Sequence, residues 1–181
     1  MTLVLRGPRV TLRPVEEADV PALLAILREP AVARRWSTPD DEEDSALLRG
    51  EGASEGERLT TFVIACAGAR IGWICGWEKL EPEYRHAGID IVLSTAHQGK
   101  GYGPEAIRLV CRFLFDVQGH HRITIDPAAD NARAIAAYEK VGFRRVGVLR
   151  KYELGEDGRY HDGMLLDLLV EDLAPRLLGE K

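Results

Sequence analysis

Gln98-Gly99-Lys100-Gly101-Tyr102-Gly103 stands between a strand-like run, Ile89-Asp90-Ile91-Val92-Leu93, and a helix-like run from Pro104 to Val117. Alternate glycines leave successive backbone N–H groups unobstructed, and a helix starting here adds its own unpaired amides and positive dipole end. Such a stretch is a site for phosphate. Gly101-x-Gly103-x-x-Ala106 also matches a dinucleotide fingerprint, with Asp126 about 20 residues on, where a ribose-binding acid would stand. In that fold, however, the first glycine follows its strand almost directly, whereas Ser94 to Lys100 intervene here between Leu93 and Gly101. A P-loop is excluded because no Gly-Lys-Ser/Thr ends the stretch.

Upstream, three β-rich runs, Leu59 to Ala67, Arg70 to Trp77 and His86 to Leu93, predict an antiparallel meander with a tight turn at Gly68-Ala69. A polar loop carrying Glu78, Glu81, Glu83, Tyr84 and Arg85 precedes the third run. Arg9 to Arg13 alternates like a half-buried strand ended by Pro14, and Val20, Leu23, Leu24 and Leu27 recur at helical spacing behind Asp19, a candidate N-cap. Residues 30 to 58, with Trp36, Pro39 and the acidic run Asp40 to Asp44, read as a solvated loop with a short helix near Ser45 to Arg49.

Downstream, the helix to Val117 has two apolar faces, one of them Ile107, Val110, Cys111, Leu114 and Val117, and so packs on both sides. Arg122 to Ile125 is a short strand, Asp126-Pro127 a turn, and Asn131 the N-cap of a helix that runs to Val141 and stops at Gly142. Phe143 to Leu154 and Met164 to Val170 form a closing hairpin around Gly155-Glu156-Asp157-Gly158. These elements predict an α/β (α+β) fold, a mixed and mostly antiparallel central sheet flanked by helices.

A length of 181 residues with 45% hydrophobic and 29% charged residues fits one domain, residues 1–181, that needs neither disulfides nor metal. The net charge of -5 argues against a nucleic-acid binder and weakly favours a cationic substrate. Cys66, Cys75 and Cys111 show no CxxC spacing and read as reduced and buried. His120 and His121 read as a solvated loop pair, with no metal. With no signal-peptide core and no membrane-length apolar run, a cytoplasmic protein with no membrane partner is expected, either monomer or homodimer.

Gln98-x-x-Gly101-x-Gly103 after a strand, followed by Asn131 and Ala134-x-x-x-Tyr138-Glu139-Lys140-x-Gly142-Phe143, resembles the GNAT acyl-CoA N-acyltransferase superfamily from about Leu5 to Leu173. The resemblance implies one N-acetyltransferase domain with acetyl-CoA as co-substrate and an amine as acceptor. It assigns the pyrophosphate of coenzyme A to the backbone of Gln98, Gly99, Lys100, Gly101, Tyr102 and Gly103. The pantetheine arm would lie along Ile91, Val92 and Leu93, with Asn131 hydrogen-bonded to it. Tyr138 matches the tyrosine that protonates the leaving thiolate, and the Val92 N–H is a candidate oxyanion donor. From helical spacing alone Tyr138 is equally a core residue of the Ile135/Tyr138/Val141 stripe, and Asn131 is equally a plain N-cap.

Asp90 interrupts an apolar strand, where aspartate is unfavourable unless it reaches solvent, a partner or a cleft. Gly88-Ile89-Asp90, with Asp126-Pro127 ending the next strand, resembles the aminoglycoside 6'-N-acetyltransferases, whose matching aspartates contact the cationic drug; the one corresponding to Asp90 is a proposed general base. Leu5-Arg6-Gly7-Pro8-Arg9-Val10-x-Leu12-Arg13-Pro14 and Asp162-Gly163-Met164-Leu165-Leu166 resemble instead the RimJ/RimL branch, which acetylates protein N-termini. A small cationic amine is the expected acceptor. A protein N-terminus, or no acceptor at all in a non-catalytic acyl-CoA-binding module, are the alternatives.

Overall fold

The β-rich runs pair as an antiparallel meander: β3 (Glu57–Cys66) with β4 (Ala69–Lys79), and β4 with β5 (His86–Leu93). The β3–β4 turn is Ala67-Gly68, one residue earlier than the sequence suggests, and both residues have left-handed φ values of 47° and 82°. A two-residue hairpin of that type matches the right-handed twist of its strands, and here it forces an alanine into the left-handed region beside the glycine. The computed structural model describes residues 3–36, 40–155 and 157–174; Pro39 and Glu156 lie outside them.

Among the described residues the sheet has eight strands. β1 (Leu5–Arg6) and β2 (Thr11–Pro14) extend it beyond β3, and β6 (Arg122–Ile125), β8 (Tyr160–Leu169) and β7 (Arg144–Leu154) extend it beyond β5, with β7 at the outer edge. All pairings are antiparallel except β5 with β6. β1 was not expected, because two residues carry no periodicity. Pro14 closes β2 from within, opposite Phe62.

One face of the sheet is covered by α1 (Val20–Leu27), α2 (Pro30–Ala33) and α3 (Asp41–Arg49), packed on Val63, Trp73, Cys75 and Val92. The other is covered by α4 (Tyr102–Arg112) and α5 (Ala132–Val141), packed on Phe62, Ile64, Ile74, Ile89, Ile123 and Leu166. Each fully buried Leu, Ile or Phe contributes about 1.5–3 kcal/mol, so both faces must be filled for the sheet to persist.

Several local expectations are corrected. Asp19 stands at the start of α1 but its side chain makes no cap to that helix: its buried carboxylate accepts from the Arg13 guanidinium at 2.6 and 2.8 Å, from Arg70 and, closing a capping box on the short turn before α1, from the Glu16 N–H, which together hold it well below the usual carboxylate range. The acidic run is no loop; Asp40 caps α3 through the N–H groups of Glu42 and Glu43, and Asp41 to Asp44 fill a first turn whose dipole favours negative charge. The helix after the glycines continues as a π-helical turn, Phe113–Val117, which rotates Val117 off the buried stripe to 68% exposure. Glu78 lies in β4, not in a loop, and is buried against His120, whose Nε2 is 2.7 Å from the Glu78 carboxylate. His120 is therefore no solvated residue, while His121 is exposed. Cys75 and Cys111 are buried thiols, and Cys66 is half-buried.

Candidate active site

β5 and β6 pair at two positions, Ala87 with Ile123 and Gly88 with Thr124, and then part. Gly88 admits no side chain, because a Cβ there would fall 2.0 Å from the indole of Trp77. Beyond it Ile89 to Leu93 stays paired with β4 alone. Backbone groups alternate sides along a strand, and the Ser94 N–H bonds to Ile71 across the β4 side at 2.9 Å. Ile91 and Leu93 consequently turn their backbone groups into the gap, and the Gln98 side-chain amide meets the Leu93 carbonyl there at 2.8 Å. The backbone of Val92 turns towards β4 and its partner Trp73, so the Val92 N–H does not face the gap as expected of an oxyanion donor.

Parity also sorts the side chains. Asp90 lies directly opposite Cys75, on the face covered by α1 to α3, whereas Tyr138 belongs to α5 on the other face. A cleft of about 1280 Å³ runs through the gap and joins the two faces. Gln98, Gly99, Gly101 and Gly103 line one end, Val92, Asn131 and Tyr138 the middle, and Asp90, Asp126, Tyr152 and Glu153 the other end.

The glycine loop is pinned from behind. The Arg9 guanidinium donates to the carbonyls of Lys100 and Gly101 at 3.1 and 3.3 Å and stacks over the Tyr102 ring, 5.6 Å from its centroid. Buried Glu105, in the first turn of α4, holds Arg9 in turn, accepting from its Nε and its backbone N–H at 2.8 Å and from the Val10 N–H at 3.0 Å. With carbonyls committed to Arg9, Gly99 and Gly101 adopt φ of 74° and 84°, which only glycine takes without strain. Gly101 is the residue that leads into α4.

At the far end, burial first and then the charges of Asp126 and Glu153 push the Asp90 carboxyl up from 3.8 to about 6, against a hydrogen bond from the Cys75 thiol, 3.9 Å away, that lowers it. Burial, with Asp90 and Asp126 adding to it, raises the Tyr138 hydroxyl, so it holds its proton at neutral pH. Tyr152 donates to Asp126 at 2.5 Å, and that bond, with burial behind it, lifts the phenol to about 12.

Residues 9–144 match the profile of the acetyltransferase (GNAT) domain. The chain belongs to the GNAT acetyltransferase family. It is an acetyl-CoA-dependent N-acetyltransferase. Aminoglycoside N(6')-acetyltransferase type 1 of Klebsiella pneumoniae is 29% identical over 153 residues, 77% of this chain and 76% of that protein. Spermidine N(1)-acetyltransferase of Escherichia coli K12 is 28% identical over 158 residues, 86% of this chain and 83% of that one. Among solved structures, a spermidine N-acetyltransferase chimera from Vibrio cholerae and hSSAT superposes with a TM-score of 0.76 at 25% identity, covering 93% of this chain and 99% of that one. Mycobacterium smegmatis RimJ in complex with CoA-disulfide gives 0.76 at 22%, covering 97% and 90%, a likeness of fold.

The GNAT loop fits coenzyme A on the structure's own terms: glycine amides at a helix start adjoin a strand edge that β6 leaves unpaired beyond Gly88. Of the residues singled out in the sequence, Asp90, Ile91, Val92, Leu93, Gln98, Gly99, Gly101, Gly103, Asp126, Asn131 and Tyr138 line one cleft. Lys100 and Tyr102 lie off its lining and act through the Arg9 clamp. Asn131 caps α5 through the Ala134 N–H at 3.2 Å while facing the cleft. Sequence reasoning missed Arg9, Cys75, Tyr152 and Glu153. Cys75 was legible from the register of the meander, whereas Tyr152 and Glu153 arrive through an irregularity in β7 that no periodicity announces. Glu78, Glu83 and Tyr84 do not line this cleft. Among the described residues no helix is long and apolar enough to cross a membrane.

Proposed function

We propose that this GNAT enzyme acetylates a primary amine on a small cationic acceptor, such as the 6' amine of an aminoglycoside or the terminal amine of a polyamine. One observation carries the reading: the gap between β5 and β6 is the passage where a carboxylate on one face of the sheet meets a phosphate-type loop and a protonated tyrosine on the other. Both curated relatives named above act, by name, on polycationic amines.

Acetyl-CoA supplies an activated acyl group. Gln98 to Gly103 hold its phosphates, Ile91 and Leu93 offer backbone pairing along the gap, and Asn131 lines the same wall. Asp90 draws the ammonium in and takes its proton, with a carboxyl pushed up to about 6 and so matched to neutral pH. Tyr138 stands across the gap with its hydroxyl protonated and gives that proton to the departing thiolate. Asp126 adds negative charge beside Asp90 and favours a cation in the pocket.

Release of free thiol from acetyl-CoA is followed with aminoglycosides, polyamines and N-terminal peptides. Turnover of the polycations, failing below about pH 6 as Asp90 protonates, is the expected result. Turnover of peptides alone would transfer the protein to the alternative acceptor class, and silence with every amine despite tight coenzyme A binding would refute catalysis.

A further inference from the structure

The turn between β1 and β2 carries no reacting group, yet it is built against the glycine loop. The Gly7 N–H bonds to the Val10 carbonyl at 2.9 Å and closes Gly7-Pro8-Arg9-Val10. The consecutive N–H groups of Arg9 and Val10 then donate to one carboxylate oxygen of Glu105, at 2.8 and 3.0 Å, and the Arg9 Nε donates to the other at 2.8 Å. Gly7 leaves the room for this, since a Cβ there would stand 2.5 Å from the same Glu105 oxygen. Glu105 is 3% exposed and lies in the first turn of α4, so three bonds fix the start of that helix to the first strands of the sheet.

The terminal nitrogens of Arg9 set the direction in which the loop faces. They donate to the carbonyls of Lys100 and Gly101 at 3.1 and 3.3 Å. In a trans peptide the C=O and the N–H of one unit point in opposite directions. Drawing those two oxygens towards Arg9 therefore turns the N–H groups of Gly101 and Tyr102, the other halves of the same units, away from it. Neither N–H has an acceptor among the described residues, and the same holds for Gly99 and Lys100. Glycine at 99 and 101, with φ of 74° and 84°, permits this orientation without enforcing it, because peptide units beside glycine turn over at low cost. An ion pair that merely braced the fold would join Arg9 to Glu105 and stop there; this one continues to two loop carbonyls.

We propose that Arg9 is a positioning residue for the pyrophosphate of acetyl-CoA. It acts through the loop, holding two carbonyls so that a row of N–H groups is aimed before the cofactor arrives, and Glu105 is its anchor. A glycine-rich loop ordered in advance spares the ligand the cost of ordering it. Arg9 also neutralises the carboxylate in the first turn of α4, which would otherwise repel a phosphate at that helix start. The contribution falls on the affinity for the phosphates and leaves the pantetheine arm and the acceptor untouched.

The test reads binding, so it does not depend on which amine is acetylated. Calorimetry measures coenzyme A, and competition against coenzyme A measures pantetheine, which shares the arm and lacks every phosphate. Arg9→Met alone would leave the Glu105 charge buried without its partner and endanger folding. The double variant Arg9→Met/Glu105→Gln removes both charges and keeps an acceptor for the two N–H groups. It should bind coenzyme A about tenfold more weakly, with pantetheine within about twofold of the wild type. Coenzyme A affinity within about twofold of the wild type, or an equal loss on both ligands, would overturn the role. Arg9 also lines the cleft, so a direct pull of its charge on the phosphates is the competing account; Arg9→Lys keeps the charge and loses the planar fork. Arg9→Lys should weaken coenzyme A about fivefold or more, and full retention of affinity would show that the charge acts directly rather than through the loop.

Discussion

Replacing Asp90 with asparagine should silence the enzyme and make it more stable. The carboxyl is raised from 3.8 to about 6 first because burial disfavours its charge and then because Asp126 and Glu153 stand beside it. A shift of that size corresponds to about 3 kcal/mol at full strength, and cleft water screening a half-buried group reduces it to about 1–2 kcal/mol. The sign follows from proton counts. Between pH 3.8 and about 6 the folded protein binds a proton that the unfolded chain has released, so stability falls as pH rises through that window and the cost is complete above it. Asparagine has the same shape without the charge, and its amide oxygen can still accept from the Cys75 thiol. Asp90→Asn should therefore melt about 4 °C above the wild type at pH 7.5, and the two curves should converge near pH 4. Turnover should drop about 10²-fold or more, the usual share of a general base. Scanning calorimetry across pH reads both halves of the claim. An Asp90→Asn protein that melts below the wild type at pH 7.5, or a difference that ignores pH, would mean the carboxylate is stabilised in the fold rather than held there against its preference.

Tyr138→Phe should lower kcat about 10²-fold while the Kd of coenzyme A by calorimetry stays within about twofold, and equal damage to both would make Tyr138 a packing residue. Gly101→Val should weaken coenzyme A about tenfold, because a β-branched residue must hold a φ of 84° with its Cβ 3.1 Å from the Arg9 guanidinium. Glu105→Ala removes the acceptor of two backbone N–H groups and of the Arg9 Nε, so urea unfolding should register a loss of about 2–4 kcal/mol. Burial holds the His120 ring below the ordinary 6.5, against the pull of Glu78, so its contribution is present above pH 6.5 and disappears as the ring protonates below it. The stability gap between the wild type and His120→Asn should accordingly narrow from pH 7.5 to pH 5.5.

Much of this molecule is legible without coordinates because local chemistry and fold agree. Asn131 and Gly142 mark the ends of α5, and β-rich runs broken by short turns mark β3 to β5, because caps and residue preference act within a few residues. The loop from Gln98 to Gly103 is equally local. What escaped depends on pairings across long stretches of chain. Glu78 reads as a loop acid until His120, 42 residues on, is seen beside it, and Asp19 reads as a cap until Arg70, 51 residues on, arrives. Arg9 has no visible purpose until Glu105 reaches it across 96 residues. The irregularity in β7 is hidden for a different reason, because an added twist in an edge strand leaves its alternation of residue types almost unchanged.

The parting of β5 and β6 is also a mechanical seam. Strands β1 to β5 and β6 to β8 form two half-sheets stitched together by a parallel pairing at Ala87 and Gly88 and by the helices laid across them. Each half is a continuous antiparallel ladder, so the line along which the sheet yields most easily is the line along which the proposed acetyl-CoA site runs. A ligand bound there fastens one half to the other. Its effect on amide exchange should therefore spread beyond the loop it touches, slowing Ile123 to Ile125 on one bank and Ala87 to Leu93 on the other in step.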